Sequence, residues 1–245
     1  MTSRPTTQAK SPASPKFPLP YTTVDIVIFT VRGGVLEVLL VKRPGGSGEP
    51  FPGRWALPGG FVDIDVDADL LACARRKLLD KTGVVSPYLE QLGSWGGRAR
   101  DPRGWSATHV YFALIPGAEL TLRQGANAAD VAWWPVERAL KTRLAFDHSE
   151  IFAAAVERLR AKVEYTSLPA FLLNEPFTLP QLQQVYEVVL GRPVDKSGFR
   201  TRMLAAGFLA EAGHVEGSSN RPAMGYRLLD RAAAVVFPRT FSPRG

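Results

Sequence analysis

Lys77, Asp80 and Lys81 stand at i, i+3 and i+4 in a run of helical periodicity, so their side chains share one face. Three carboxylates at this spacing would hold a hard dication beside a diphosphate. Here the face carries two ammoniums and one carboxylate, a net +1, which opposes a metal and attracts an anion. Upstream, Gly59 and Gly60 allow a ligand to approach the backbone closely. Around them lie Arg43, Arg54 and Phe61, and downstream the loop 96–106, GGRARDPRGWS, adds Arg98, Arg100, Arg103 and Trp105. Arginines make bidentate phosphate contacts, and Trp105 can stack on a base. Together with Lys77 and Lys81 these residues form a candidate nucleotide-binding set; the plainer alternative is that the lysines are a solvated helix face. Asp63, Asp65, Asp67 and Asp69 alternate just before the helix and read as helix-start chemistry, with Asp67 as the N-cap and Asp69 in the first turn.

A second cluster follows Asp195. On a helical wheel Phe199, Met203 and Ala206 fall on a core side, with Ser197, Thr201 and Ala205 opposite and Arg200 and Arg202 flanking. Small polar residues bordered by arginines suit entry into a DNA major groove. Lys196 at the helix start, Arg192 in the preceding turn and Arg221 near the tip of the next hairpin would meet the phosphate backbone, and Arg227 is a further strand position. The competing reading of this region is a small helical module for protein contacts. His109 and His148 read as hydrogen-bonding residues within regular elements, and His214 has no Cys or His at ligand spacing, so no metal site is expected.

These residues need elements to position them. Tyr21–Val31 and Val35–Lys42 read as strands joined at Arg32-Gly33-Gly34. A short strand is expected at Arg54–Leu57, after the Gly/Pro-rich loop 44–53. The helix carrying Lys77 has the apolar stripe Leu70, Leu71, Ala74, Leu78 and Leu79 and stops at Gly83. Leu89–Trp95, Thr108–Ile115 and Val131–Val136 read as strands, and His148–Val163 as an amphipathic helix. Leu179 to Leu190 then forms one helix, GRPV (191–194) a turn, the Asp195 segment a second helix ending at Gly207, and a hairpin follows. That succession is a winged helix-turn-helix. The expected organisation is a Pro/Ser/Thr-rich arm (1–20), a ligand-sensing domain (21–165), a connector (166–176), the winged helix (177–235) and a tail (236–245).

At 45% hydrophobic and 22% charged residues, the composition of the 245-residue chain suits a globular protein with a sizeable core. No apolar run approaches the ~18 residues of a membrane span, and the N-terminus lacks a signal-peptide core, so a cytoplasmic protein with no membrane partner is expected. Cys73 is the single cysteine and reads as packing. A net charge of +7 admits acidic partners, and residues 174–245 hold nine Arg/Lys against six Asp/Glu.

WALPGGF (55–61) and Arg76-Lys77-Leu78-Leu79-Asp80-Lys81-Thr82-Gly83-Val84 resemble the Nudix box, with Lys77, Asp80 and Lys81 where that family has metal-binding glutamates. Gly60 lies two residues farther from Arg76 than the box prescribes, and Val66 takes the place of the first glutamate counted from it. Together with PYLEQLGSWGGRARDPRGWS (87–106), LAFDH (144–148), the run 177–209 and NRPAMGYRL (220–228), the chain resembles the Nudix-related transcriptional regulators, the NrtR family. The resemblance implies an α+β fold: an N-terminal Nudix-like α/β/α domain with a mixed sheet, then a C-terminal winged helix-turn-helix domain. It also implies a homodimeric repressor of NAD biosynthesis and salvage genes on double-stranded palindromic operator DNA. ADP-ribose or a related NAD metabolite would be the effector, bound without hydrolysis and with no cofactor required. Two other functions compete with this one. One is a Mg²⁺-dependent ADP-ribose or nucleotide-sugar pyrophosphatase, with Asp63, Asp65 or Asp67 supplying carboxylates. The other is a nucleotide-sensing adaptor whose C-terminal module binds protein.

Overall fold

The computed structural model describes residues 19–46, 48–83, 88–117, 130–215 and 222–241. Strand β1 (Tyr21–Arg32) is buried on both faces from Thr23 to Thr30, so it occupies the middle of a sheet. The two-residue turn Gly33-Gly34 has φ of +55° and +76°, the left-handed values that let the chain reverse tightly into β2 (Val35–Lys42). β3 (Trp55–Ala56) and β7 (Asp130–Pro135) pair antiparallel with β2, and β4 (Gly59–Phe61) pairs antiparallel with β1. β6 (Ser106–Leu114) runs parallel to β1, and β5 (Tyr88–Gly97) antiparallel to β6. The sheet is therefore mixed, ordered β3-β2-β1-β6-β5 with β4 and β7 attached.

Strand alternation divides the core. Val24, Ile26 and Ile28 face helix α1 (Leu70–Thr82) through Cys73, Ala74 and Leu78. Val27 and Phe29 belong to the opposite layer, with Phe152, Ala155 and Leu159 of α3 (His148–Val163); a short α2 (Val136–Ala139) precedes it. This is the expected α/β/α layering.

One local expectation changes. The α1 cap is Asp69, which accepts from Ala72 N–H at 2.7 Å; Asp67 is instead engaged by Arg76, and the helix begins at Leu70. Gly59 and Gly60 lie in β4, where main-chain pairing with Thr23–Asp25 outweighs the poor strand propensity of glycine.

The expected connector is part of the core. Leu168–Leu172 makes a 3₁₀ turn whose side chains are all buried, so one apolar layer runs from the sheet into the C-terminal unit. There α4 (Leu179–Leu190) starts with a capping box between Thr178 and Gln181 and stops at Gly191, φ +68°. α5 (Lys196–Ala205) is capped by Asp195, which accepts from Gly198 N–H at 2.7 Å. β8 (Phe177–Thr178), β9 (Leu209–Val215) and β10 (Ala223–Leu228) complete a small sheet ordered β8-β10-β9, giving a winged helix. Residues 236–241, expected as tail, also pack inward: Phe237 and Phe241 are buried beside Tyr186, Phe199 and Phe208. Most of the arm and the tip bearing Arg221 lie outside the described residues. Among the described residues no helix is long and apolar enough to cross a membrane.

Candidate nucleotide pocket and nucleic-acid interface

A cavity of about 580 Å³ opens between β1, β4, α1 and the loop before β6. Its floor is made by glycines for a steric reason: a Cβ at Gly59 would fall on the Asp25 carboxylate. Gly60 has φ +149°, and the Nζ of Lys77 lies 3.2 Å from where its Cβ would stand. Lys77 and Lys81 both line the cavity, whereas Asp80 is exposed and does not. The helix face turned to the cavity therefore carries both ammoniums without the intervening carboxylate. Burial lowers the pKa of Lys81, with Asp80 opposing the shift and Lys77 adding to it.

The cavity arginines are held in place. Arg103 pairs with Asp101 (Nη2–Oδ2 2.7 Å) and lies 5.1 Å over the ring of Phe61, which is 45% exposed. Arg43 donates to Glu49 (2.8 Å) and to the carbonyl of Pro50 (2.6 Å), with its guanidinium 4.9 Å over Phe146. Each is a cation ordered by a carboxylate and an aromatic face before any ligand arrives.

Behind the wall sits a polar network that sequence spacing gave little hint of. Arg100 is buried and donates to both Asp147 oxygens (3.0 and 3.1 Å) and to Ser106 Oγ (3.2 Å); its Nη2 is 3.6 Å from Asp25. Thr108 Oγ1 donates to Asp25 at 2.7 Å. His148 Nδ1 accepts from Leu57 N–H at 2.9 Å, which leaves the protonated Nε2 facing Asp25 at 3.6 Å. Burial alone would raise the Asp25 pKa; His148, Thr108 and Arg100 outweigh it and hold the carboxyl below its usual value. This network joins the cavity floor to the first turn of α3.

Of the residues singled out from the sequence, the cavity collects Arg43, Gly59, Gly60, Phe61, Lys77, Lys81, Arg100 and Arg103. Arg54 is exposed and stacks 5.5 Å from Phe51, Arg98 is exposed, and Trp105 is 49% exposed beside Gly96; none lines the cavity. Asp25, Asp63, Asp101 and His148 line it as well. The one local signal for Asp25 is a carboxylate inside an otherwise apolar strand.

The carboxylates of Asp63, Asp67 and Asp69 accept local hydrogen bonds before and at the start of α1. Both Asp67 oxygens accept from Arg76 (2.7 and 2.6 Å), and Oδ2 also accepts from Asp63 N–H, while Asp63 Oδ1 accepts from Asp65 N–H. The Arg76 guanidinium holds the Asp67 carboxyl far below the usual carboxylate range. Among the described residues no group of three or more His, Cys, Asp or Glu side chains is placed to hold a metal ion.

On the winged helix, Lys196, Ser197, Arg200 and Thr201 are exposed along α5, while Phe199 and Met203 anchor it. Arg202 turns away: it donates to the carbonyl of Thr240 (2.9 Å) and stacks 4.1 Å over Phe241. Arg192 is likewise engaged, with Glu164 (2.7 and 2.8 Å) and the carbonyl of Phe241 (2.8 Å).

The family model for the NUDIX domain matches residues 20–155, and that for the NrtR DNA-binding winged helix domain matches residues 169–228. The chain is 45% identical over 223 residues to the ADPR responsive transcriptional repressor NtrR of Acinetobacter baylyi, covering 91% of this chain and 88% of the relative. This chain belongs to the NrtR family. Among solved structures, Shewanella oneidensis NrtR complexed with a 27mer DNA superposes with a TM-score of 0.81 at 44% identity, covering 90% of this chain and 99% of that one. The NUDIX domain of the same NrtR complexed with ADP ribose matches with a TM-score of 0.55 at 46% identity, over 60% of this chain and 94% of that one. NrtR architecture thus accounts for both the sandwich and the winged helix. The winged-helix match ends at residue 228, so residues 229–241 of this chain lie beyond it.

Proposed function

We propose that this chain is a transcriptional repressor controlled by ADP-ribose or a related NAD metabolite, held without turnover in the cavity beside α1. Operator DNA is bound by a homodimer through Lys196, Ser197, Arg200 and Thr201 of α5, with Arg221 of the wing on the backbone. Its targets are genes of NAD synthesis and salvage. The observation that carries the sensing half is the pair of ammoniums, Lys77 and Lys81, on the cavity wall where a hydrolase of this family needs carboxylates. They supply to a diphosphate the counter-charge that Mg²⁺ supplies in an enzyme. Arg43 and Arg103, already ordered by Glu49 and Asp101, are the further phosphate contacts. The engagement of both Asp67 oxygens by Arg76 weighs against Asp67 as a metal ligand in the pyrophosphatase reading.

A gel shift on the DNA upstream of NAD-synthesis genes, with and without ADP-ribose, NAD and ATP, tests this reading. ADP-ribose alters the shift, and Mg²⁺ with ADP-ribose yields no AMP at high protein concentration. A shift altered by none of the three removes the sensor; AMP release in proportion to protein restores the enzyme.

A further inference from the structure

Residues 235–241 form a strap between the two halves of the molecule. One edge is sewn to the segment after α3: Ser167 N–H donates to Val235 O (2.9 Å), Phe237 N–H to Tyr165 O (2.7 Å) and Phe241 N–H to Glu164 O (3.0 Å), with a β-bridge between Thr166 and Val236. The other edge lies on the recognition helix. Phe241 stacks on Phe199 at 6.0 Å, and Arg192 and Arg202 both donate to strap carbonyls. With Phe237 and Phe241 buried, Pro238, Arg239 and Thr240 are left facing solvent.

Arg239 differs from its neighbours. Arg192 donates to Glu164 and to the Phe241 carbonyl and Arg202 to the Thr240 carbonyl, whereas Arg239 is exposed with no hydrogen bond or ion pair to any described residue. It lines an open cavity of about 740 Å³ shared with Arg192, Asp195, Gly198 and Arg202, so it borders the N-terminal half of α5 on the side of Gly198. Gly198 has no side chain to hold a partner away from that flank.

We propose that the strap is a second DNA-contacting element, in which Arg239 takes a phosphate of the duplex beside the base pairs that α5 faces. This rests on the reading of α5 as the recognition helix. The geometry follows from dimensions. A helix with its side chains is about 10–12 Å across, and the major groove is about 12 Å wide. Whatever packs on the flank of an inserted helix is therefore carried to the groove wall, which is sugar and phosphate. A cation on a strap fixed by two buried aromatics reaches that wall with little ordering cost. The contact is to the backbone, so it adds affinity without sequence preference.

The test is fluorescence anisotropy with operator and scrambled duplexes across a salt series, using the full chain and the variants Arg239→Ala, Arg239→Lys and Arg200→Ala. Arg239→Ala lowers affinity three- to tenfold for both duplexes and makes the slope of log K against log [salt] shallower by about 0.9 per bound subunit. Arg239→Lys keeps the slope, since an ammonium also neutralises a phosphate. If Arg200→Ala weakens operator binding while Arg239→Ala leaves the slope unchanged, the strap proposal is overturned and the recognition helix stands. If neither variant moves the operator affinity, the reading of α5 fails and takes the strap with it. Thermal unfolding of Arg239→Ala coincides with that of the parent chain, which separates a lost contact from a lost fold.

Discussion

The ammonium of Lys77 lies 3.2 Å from the point where Gly60 would carry a side chain, so a lysine of α1 and a glycine of β4 share one wall of the cavity. Glycine here admits both the φ of +149° and the approach of the cation. Lys77→Glu and Lys81→Glu each turn an attraction for diphosphate into a repulsion. Each is expected to weaken ADP-ribose binding by tenfold or more, since a charge-assisted hydrogen bond contributes roughly 1.5–3 kcal/mol. Calorimetric titration reads this directly. Chelation of divalent ions should leave the parent affinity unchanged; a large loss on adding EDTA would show that the lysines do not replace a metal.

The Arg/Gly-rich loop groups Arg100 with the ligand arginines, and its side chain is buried and shared between Asp147, Ser106 and Asp25 at the cavity wall. Removing it leaves Asp25 and Asp147 without the cation they share. Arg100→Ala is therefore expected to cost about 3–5 kcal/mol of stability. The measurement is a denaturant titration, paired with ADP-ribose binding under conditions where the variant is folded. An unchanged midpoint with lost binding would instead make Arg100 a ligand contact.

Asp67 and Arg76 give a pH dependence of definite sign. The carboxyl is held far below its usual range by the guanidinium, so its stabilisation is complete above the unfolded-state value of about 4. It is lost as the pH falls through the folded-state value. Asp67→Asn should cost roughly 1–3 kcal/mol at pH 7, and the gap between variant and parent should begin to narrow once the pH falls below about 4. Melting curves from pH 7 to pH 3 that stay parallel would mean the pair does not stabilise the fold.

What could be read from the sequence was whatever is local. The spacing of Lys77 and Lys81, the double-glycine turn after β1 and the Asp195 cap are each set by residues within one or two helical turns of each other. The burial of Arg100 and Arg202 was not legible, because their partners lie 47 and 38 residues away and no periodicity links them. Asp67 was misplaced as a cap for the same reason: two aspartates two apart are equivalent as N-cap candidates until Arg76, nine residues on, selects one as its own partner. The strap has no local signature in the sequence: its two aromatics, Phe237 and Phe241, sit among Pro, Arg and Thr, and their partners Tyr186, Phe199 and Phe208 come from α4, α5 and the turn before β9.

Phe241 makes the strap's role in the fold measurable apart from its role at DNA. Its ring meets Tyr186 at 5.3 Å and Phe199 at 6.0 Å, and Arg202 covers the face at 4.1 Å. Truncation to alanine opens a cavity against α5 and removes the ring face that Arg202 covers. Phe241→Ala is expected to destabilise the protein by about 3–5 kcal/mol, and Phe241→Leu by less, since it keeps much of the volume. Because α5 loses part of its support, the folded Phe241→Leu variant should also bind operator more weakly than the parent chain, with an unaltered affinity for ADP-ribose. Thermal melts and anisotropy on the same samples check both halves. A Phe241→Ala melt that overlays the parent's would mean that the Phe241 ring contributes nothing to the core.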